Sequence, residues 1–125
     1  MKNLHVVLVD RDGVRCSRWV TEFAKQPAIE NLRCFEHLDD LRAMEDEFPF
    51  DICLIHAPSY RKESVIALLT WKRSAHPGCR TIVLDSPEDP AEALPFLEAG
   101  AWSCLPTSAS VCEVMANLEA AVRGE

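Results

Sequence analysis

Apolar residues along this chain fall into short unbroken runs, separated by stretches where they recur every three or four positions. The runs are LHVVLV at 4–9, the weaker LRCF at 32–35, DICLI at 51–55, RTIVL at 80–84 and WSCL at 102–105. Unbroken rather than alternating apolarity marks strands buried on both faces, the habit of parallel sheets. The stretches between them carry helical spacing. Over 14–25, Cys16, Trp19, Val20 and Phe23 make one buried face. Residues 37–48 form a short polar helix with Leu38, Leu41 and Met44 as its stripe, and 62–75 buries Val65, Leu68, Leu69 and the stem of Lys72. Residues 110–122 present Val111, Val114, Met115, Leu118 and Val122. Strand and helix alternate with short connections, which predicts a doubly wound α/β fold, (βα)5 around a five-stranded parallel sheet.

The fourth helix breaks its own pattern. In SPEDPAEALPFLEAGA, Asp89 is the N-cap, Pro90 the first helical residue and Glu92 the third position after the cap. Pro95 follows about a turn and a half later, where it removes a backbone hydrogen bond and clashes with the preceding turn. A kinked, late-starting or loosely held helix is expected, ended by Gly100 at the C′ position.

A length of 125 residues suits one domain, taken here as 1–125. The net charge of −7 disfavours non-specific binding to nucleic acid or an anionic membrane. No apolar run approaches the roughly 20 residues of a membrane span. The amino-terminal MKNLHVVLVD lacks a signal peptide's features, so a cytoplasmic location is expected. Six cysteines (16, 34, 53, 79, 104 and 112) show no C-x-x-C spacing. Most sit in apolar segments, as small buried hydrophobes do. No metal and no other cofactor is expected.

The segments VVLVDRD, DICLIH, TIVLDS, LEAGAWSCLPTS and LEAAVRGE, in this order and spacing, resemble the receiver domains of bacterial two-component response regulators. The resemblance covers essentially the whole chain and is nearest to LuxR/NarL-type regulators. It implies a flavodoxin-like, CheY-like fold. It also implies a phosphotransfer pocket in which an aspartate accepts the phosphoryl group. There an acidic pair holds Mg²⁺, and a hydroxyl and a lysine take up the phosphoryl oxygens. Carried onto this chain, the acceptor position holds His56. The acidic pair keeps Asp10 but continues with Arg11 and then Asp12. Asp85, with Ser86 next, stands at the hydroxyl position, Thr107 at the lysine position and Cys104 at the switch aromatic.

Most of that machinery is replaced, so the resemblance implies an atypical receiver, not an enzyme, that signals without phosphorylation. It would be a protein-interaction module regulating transcription through a partner or a downstream helix-turn-helix. Two alternatives stay open: a phosphotransfer domain using His56 or Ser86, and a domain sensing a small molecule or anion in the altered pocket. His56 itself is either a phosphoryl acceptor or a hydrogen-bonded polar tip at a strand end. Arg11 either neutralises Asp10, Asp12 and Asp85 as an internal counter-ion or points into solvent. A divalent ion at Asp10 and Asp12 beside an arginine is electrostatically poor. Trp102 is either a partly exposed anchor for a homodimer through the helix 4–strand 5–helix 5 face, or a cover folded over Pro95 and Phe96. No direct contact of this domain with nucleic acid or membrane is expected.

Overall fold

The computed structural model describes residues 3–87 and 89–123; the end of the LEAAVRGE segment, residues 124 and 125, lies outside them. Five strands, β1 (Leu4–Val9), β2 (Ile29–Phe35), β3 (Ile52–His56), β4 (Arg80–Leu84) and β5 (Ser103–Leu105), alternate with five helices. The helices are α1 (Gly13–Phe23), α2 (Leu38–Glu47), α3 (Lys62–Ala75), α4 (Leu94–Ala99) and α5 (Val111–Arg123). The strands form one sheet in the order β2-β1-β3-β4-β5, and every pairing is parallel. This is the predicted architecture.

Alternation along each strand divides the apolar residues into two cores. Leu4, Val6, Leu8, Ile52, Leu54, Ile82 and Leu84 face Trp19 and Phe23 of α1 and Val114, Met115 and Leu118 of α5. Val7, Val9, Cys53, Ile55 and Val83 face Leu41, Val65, Leu68, Leu69 and Phe96 of α2, α3 and α4. The central strands β1 and β3 are buried almost throughout, which is why they read as unbroken runs. The edge strand β2 has no fully buried residue; its mixed composition hid the first half, and the strand begins at Ile29 rather than at 32.

The fourth helix starts late, in agreement with one of the expected outcomes. Asp89 accepts from the Ala91 amide at 2.9 Å, but Pro90–Ala93 forms only a 3₁₀ turn. The α-helix begins at Leu94, so Pro95 lies in its first turn, where its missing N–H costs nothing. Gly100 ends the helix at φ 122°, a conformation that side-chain-bearing residues rarely adopt.

Trp102 corrects one expectation. Its half-buried ring packs against the α1/α5 core and lies under the Arg80 guanidinium, 4.7 Å from the ring centroid. Phe96 belongs to the core on the other side of the sheet, so Trp102 does not serve as its cover. The apolar residues that helix α4 leaves exposed are Leu94, 52% accessible, and Leu97, 40% accessible.

Candidate functional site

Parallel strands place their carboxyl ends along one edge of the sheet, and here that edge brings Asp10, after β1, next to His56, the last residue of β3. Asp10 is 1% exposed, and a carboxylate so buried needs partners. It has four. Arg15 Nε donates to Oδ2 at 2.6 Å and Arg15 Nη2 to Oδ1 at 2.8 Å; the Asp12 amide and the Ser59 hydroxyl also donate to Oδ1, at 2.9 and 3.2 Å. Burial alone raises the Asp10 pKa, but the Arg15 and Asp12 hydrogen bonds, with the nearby charges of His56 and Arg15, leave it below the usual carboxylate value.

The cation is Arg15, not Arg11. Asp12 caps α1, its Oδ1 accepting from the Val14 and Arg15 amides at 3.0 and 3.1 Å. Side chains in a helix lean toward its N-terminus, so Arg15, one turn in, reaches back over the cap to Asp10 and to Asp12 Oδ2 at 3.4 Å. Arg11 precedes the helix and is directed away; its exposed guanidinium lies 5.5 Å from the Tyr60 ring centroid. The sequence did contain the signal, an arginine three residues after a capping aspartate, but the reading stopped at the residue adjacent to Asp10.

His56 completes the cluster. Its Nδ1 lies 3.2 Å from Arg15 Nη2 and 2.9 Å from Ser59 Oγ. A guanidinium can only donate, so an Nδ1 lone pair turned to Arg15 puts the ring proton on Nε2. A proton on Nδ1 would instead go to Ser59 Oγ, whose own proton goes to Asp10; the contacts admit both neutral tautomers. Burial, foremost, and then the Arg15 charge lower the histidine pKa, against the upward pull of Asp10, Asp85 and Asp12. Ser59, which the sequence reading passed over, ties the ring to Asp10.

The remaining positions lie past β4 and β5. Asp85 is half-buried, and its Oδ1 accepts from the Ser86 amide at 2.9 Å. It is not among the groups that Arg15 bonds, so the internal counter-ion serves Asp10 and Asp12 only. Ser86 Oγ and Thr107 Oγ1 are 2.9 Å apart, and Ser86 Oγ also accepts from the Thr107 amide at 3.0 Å. Two short polar side chains therefore satisfy each other where the resemblance puts a lysine and its partner. Cys104 on β5 is half-buried, its thiol pKa raised by burial and then by Asp85.

The fold family implies Mg²⁺ at the acidic turn, and these residues do not fit it. Both oxygens of Asp10 are taken by Arg15, and a divalent ion would have to share the site with a guanidinium.

No protein-family model matches the chain. No curated protein matches it either. Solved structures do. The RcsB response regulator of Salmonella typhimurium superposes with a TM-score of 0.84 at 16% identity, over 100% of this chain and 62% of that one; the chain thus spans less than two thirds of that regulator. The signal receiver domain of the putative response regulator NarL from Mycobacterium tuberculosis gives a TM-score of 0.82 at 15% identity, over 100% of both chains. A LuxR-family two-component response regulator from Aurantimonas sp. SI85-9A1 gives 0.82 at 18% identity, over 99% of this chain and 88% of its own. At such low identity the likeness concerns architecture, and it is unambiguous there: the chain has the fold of a response-regulator receiver domain.

Proposed function

We propose that this chain is an atypical receiver, a signalling module that works without phosphorylation by presenting a fixed surface to a protein partner or to a second copy of itself. The observation that carries the reading is the Arg15 guanidinium held on both oxygens of Asp10 and against His56 Nδ1. A permanent internal cation stands where a phosphorylatable receiver needs an exchangeable one. With Arg15 committed to Asp10 and Thr107 at the lysine position, the groups that would stabilise an incoming phosphoryl group are diverted or replaced, and such stabilisation is usually the largest catalytic contribution.

Phosphotransfer through His56 is disfavoured by the burial of its ring, 8% exposed, and by Thr107 standing where the resemblance puts the phosphate-binding lysine. Ser86 is held in its pairing with Thr107. Regulation of transcription through a partner or a linked DNA-binding domain, in the manner of LuxR/NarL-type regulators, follows from the resemblance. On the α4 side, Leu94 and Leu97, rather than Trp102, are the large apolar residues exposed for self-association; Val14 of α1 is exposed as well.

Incubation with acetyl phosphate and Mg²⁺ followed by intact-mass measurement tests the reading. No mass change, and no thermal shift with beryllium fluoride, are expected; gain of one phosphoryl group would overturn it.

A further inference from the structure

On the α2/α3 side of the sheet edge, away from the Ser86–Thr107 pair, the surface opens into a basin of about 580 Å³. Its walls come from the segments after β1, β2 and β3, contributing Arg11, His37 and Tyr60, from Arg61 just before α3, and from Arg42 on α2. Strand order here is β2-β1-β3, and in open α/β sheets the crevice beyond the strand ends beside such a reversal is where ligands collect.

The charge of the basin opposes that of the chain. The protein carries a net charge of −7, yet three arginines line this one cavity, with Asp39 the single carboxylate among the lining residues. Two of the three are pre-positioned by aromatic rings: Arg11 lies 5.5 Å from the Tyr60 centroid and Arg42 4.7 Å from that of Trp71. Tyr60 is fixed in turn by donating its hydroxyl to the Glu36 carbonyl at 2.7 Å. Stacked guanidinium groups keep their edge N–H donors free; Arg61, exposed and 3.9 Å from Glu63, adds a third cation at the rim, and several planar forks suit the oxygens of a phosphate group better than a single carboxylate. The size falls in the range of small-molecule sites.

We infer that this basin binds a small phosphate-bearing anion, at a place separate from the pocket that Arg15 has filled. The inference goes beyond the signalling role proposed above and does not depend on it: Asp10, Arg15 and His56 do not line the cavity, and Ser59 is the one residue of that cluster that borders it. Occupancy would bridge α2, α3 and the segment after β1, and so could set the shape of that face.

The test is isothermal titration of the whole chain with inorganic pyrophosphate. Saturable binding that weakens with added salt is expected. The exposed pair Arg11→Gln/Arg61→Gln should weaken it by about tenfold or more, while Arg80→Gln, at the Trp102 ring outside the basin, leaves it unchanged. Absence of saturable binding, equal affinity in the double variant, or equal loss in Arg80→Gln would each overturn the site. Citrate binding as tightly as pyrophosphate through the same arginines would overturn its assignment to phosphate.

Discussion

Arg15 donates from Nε and Nη2 to the two oxygens of Asp10, forming a bidentate ion pair in which the carboxylate is almost fully buried and the arginine only partly. Removing one member of such a pair leaves the other charge without its partner, which costs about 3–5 kcal/mol when both are buried and less here because Arg15 is partly solvated. Arg15→Ala should therefore destabilise the fold by about 2–3 kcal/mol, whereas Arg11→Ala, exposed over Tyr60, should stay within about 0.5 kcal/mol of the parent. The freed acidic pair would regain a need for positive charge. Added Mg²⁺ should raise the melting temperature of Arg15→Ala and not that of the parent. Equal urea midpoints for the two variants would show that Arg15 is not the counter-ion.

His56 gives the molecule a pH dependence whose sign can be worked out. Its folded pKa lies below the ordinary 6.5, so on acidification the unfolded chain takes up this proton before the folded one does. The unfolded state is then favoured as pH falls below about 6.5, and stability from this group is complete only above that value. Asp10 acts in the same direction at lower pH: its pKa is depressed from 3.8, so its contribution is present above that value and lost as pH falls through the folded one. Urea unfolding across pH 7.5 to 5 should show a decline that His56→Gln makes shallower. Parallel curves for parent and variant would mean that the histidine is not held neutral by Arg15 and burial.

A second ion pair lies wholly inside the other core. Lys72 Nζ donates to Glu45 Oε1, linking α3 to α2, with Lys72 2% and Glu45 0% exposed. The ammonium also lies 3.3 Å from Cys79 Sγ, while Glu45 Oε2 is buried without a hydrogen-bond partner. Burial works against the Lys72 charge, but Cys53, Cys79 and Glu45 outweigh it, and the lysine titrates above its ordinary value. Such a pair costs desolvation that its attraction only partly returns. Lys72→Met alone should lose about 3–5 kcal/mol, because Glu45 is left charged and buried. The double replacement Lys72→Met/Glu45→Leu should recover most of that loss or exceed the parent. Melting temperatures of the three chains decide it, and a double variant no better than the single one removes the argument.

How much of this could be read from the sequence depended on how far each signal travels along the chain. Strands β1, β3 and β4 were visible because burial on both faces leaves a local apolar run, and the helices because their stripes recur within two turns. Pro95 correctly announced an irregular fourth helix, and its resolution into a 3₁₀ turn followed by a short helix needed only backbone geometry. The site was legible in its members but not in its bonds. Asp10 and His56 are 46 residues apart in sequence and meet only when β1 and β3 pair. Which arginine reaches them depends on side-chain direction within the first turn of α1, and residue type alone does not carry that. Lys72 was anticipated as a buried stem; its buried partner Glu45 lay on a helix whose polar composition suggested solvent. Trp102 failed for a similar reason, since alternation along a three-residue strand does not reveal which core a flanking ring will join.

Self-association is the last outcome to test, and the exposed surface narrows where it would occur. The resemblance points to the α4–β5–α5 face, and under the proposed phosphorylation-independent role that face would be held in one state. Cys104, which the resemblance alone puts at the switch-aromatic position, is half-buried beside the 3₁₀ segment, its Sγ 4.0 Å from the Ala93 carbonyl. Leu94 and Leu97 are exposed large apolar side chains on the short α4. Each is already about half covered, so completing its burial yields about 1 kcal/mol rather than the 1.5–3 kcal/mol of a whole leucine. Two per protomer, or four across a symmetric pair, give several kcal/mol against an association cost of similar or larger size. The expected dimer is therefore weak and visible only at high concentration. Sedimentation across the micromolar range should show a rising average mass for the parent and a monomer for Leu94→Glu/Leu97→Glu. Trp102→Ala, whose ring packs inward under Arg80, should lose stability while keeping the parent's tendency to associate. A monomeric parent at every concentration, or a glutamate variant that pairs as well as the parent, would leave the α4 face without this role.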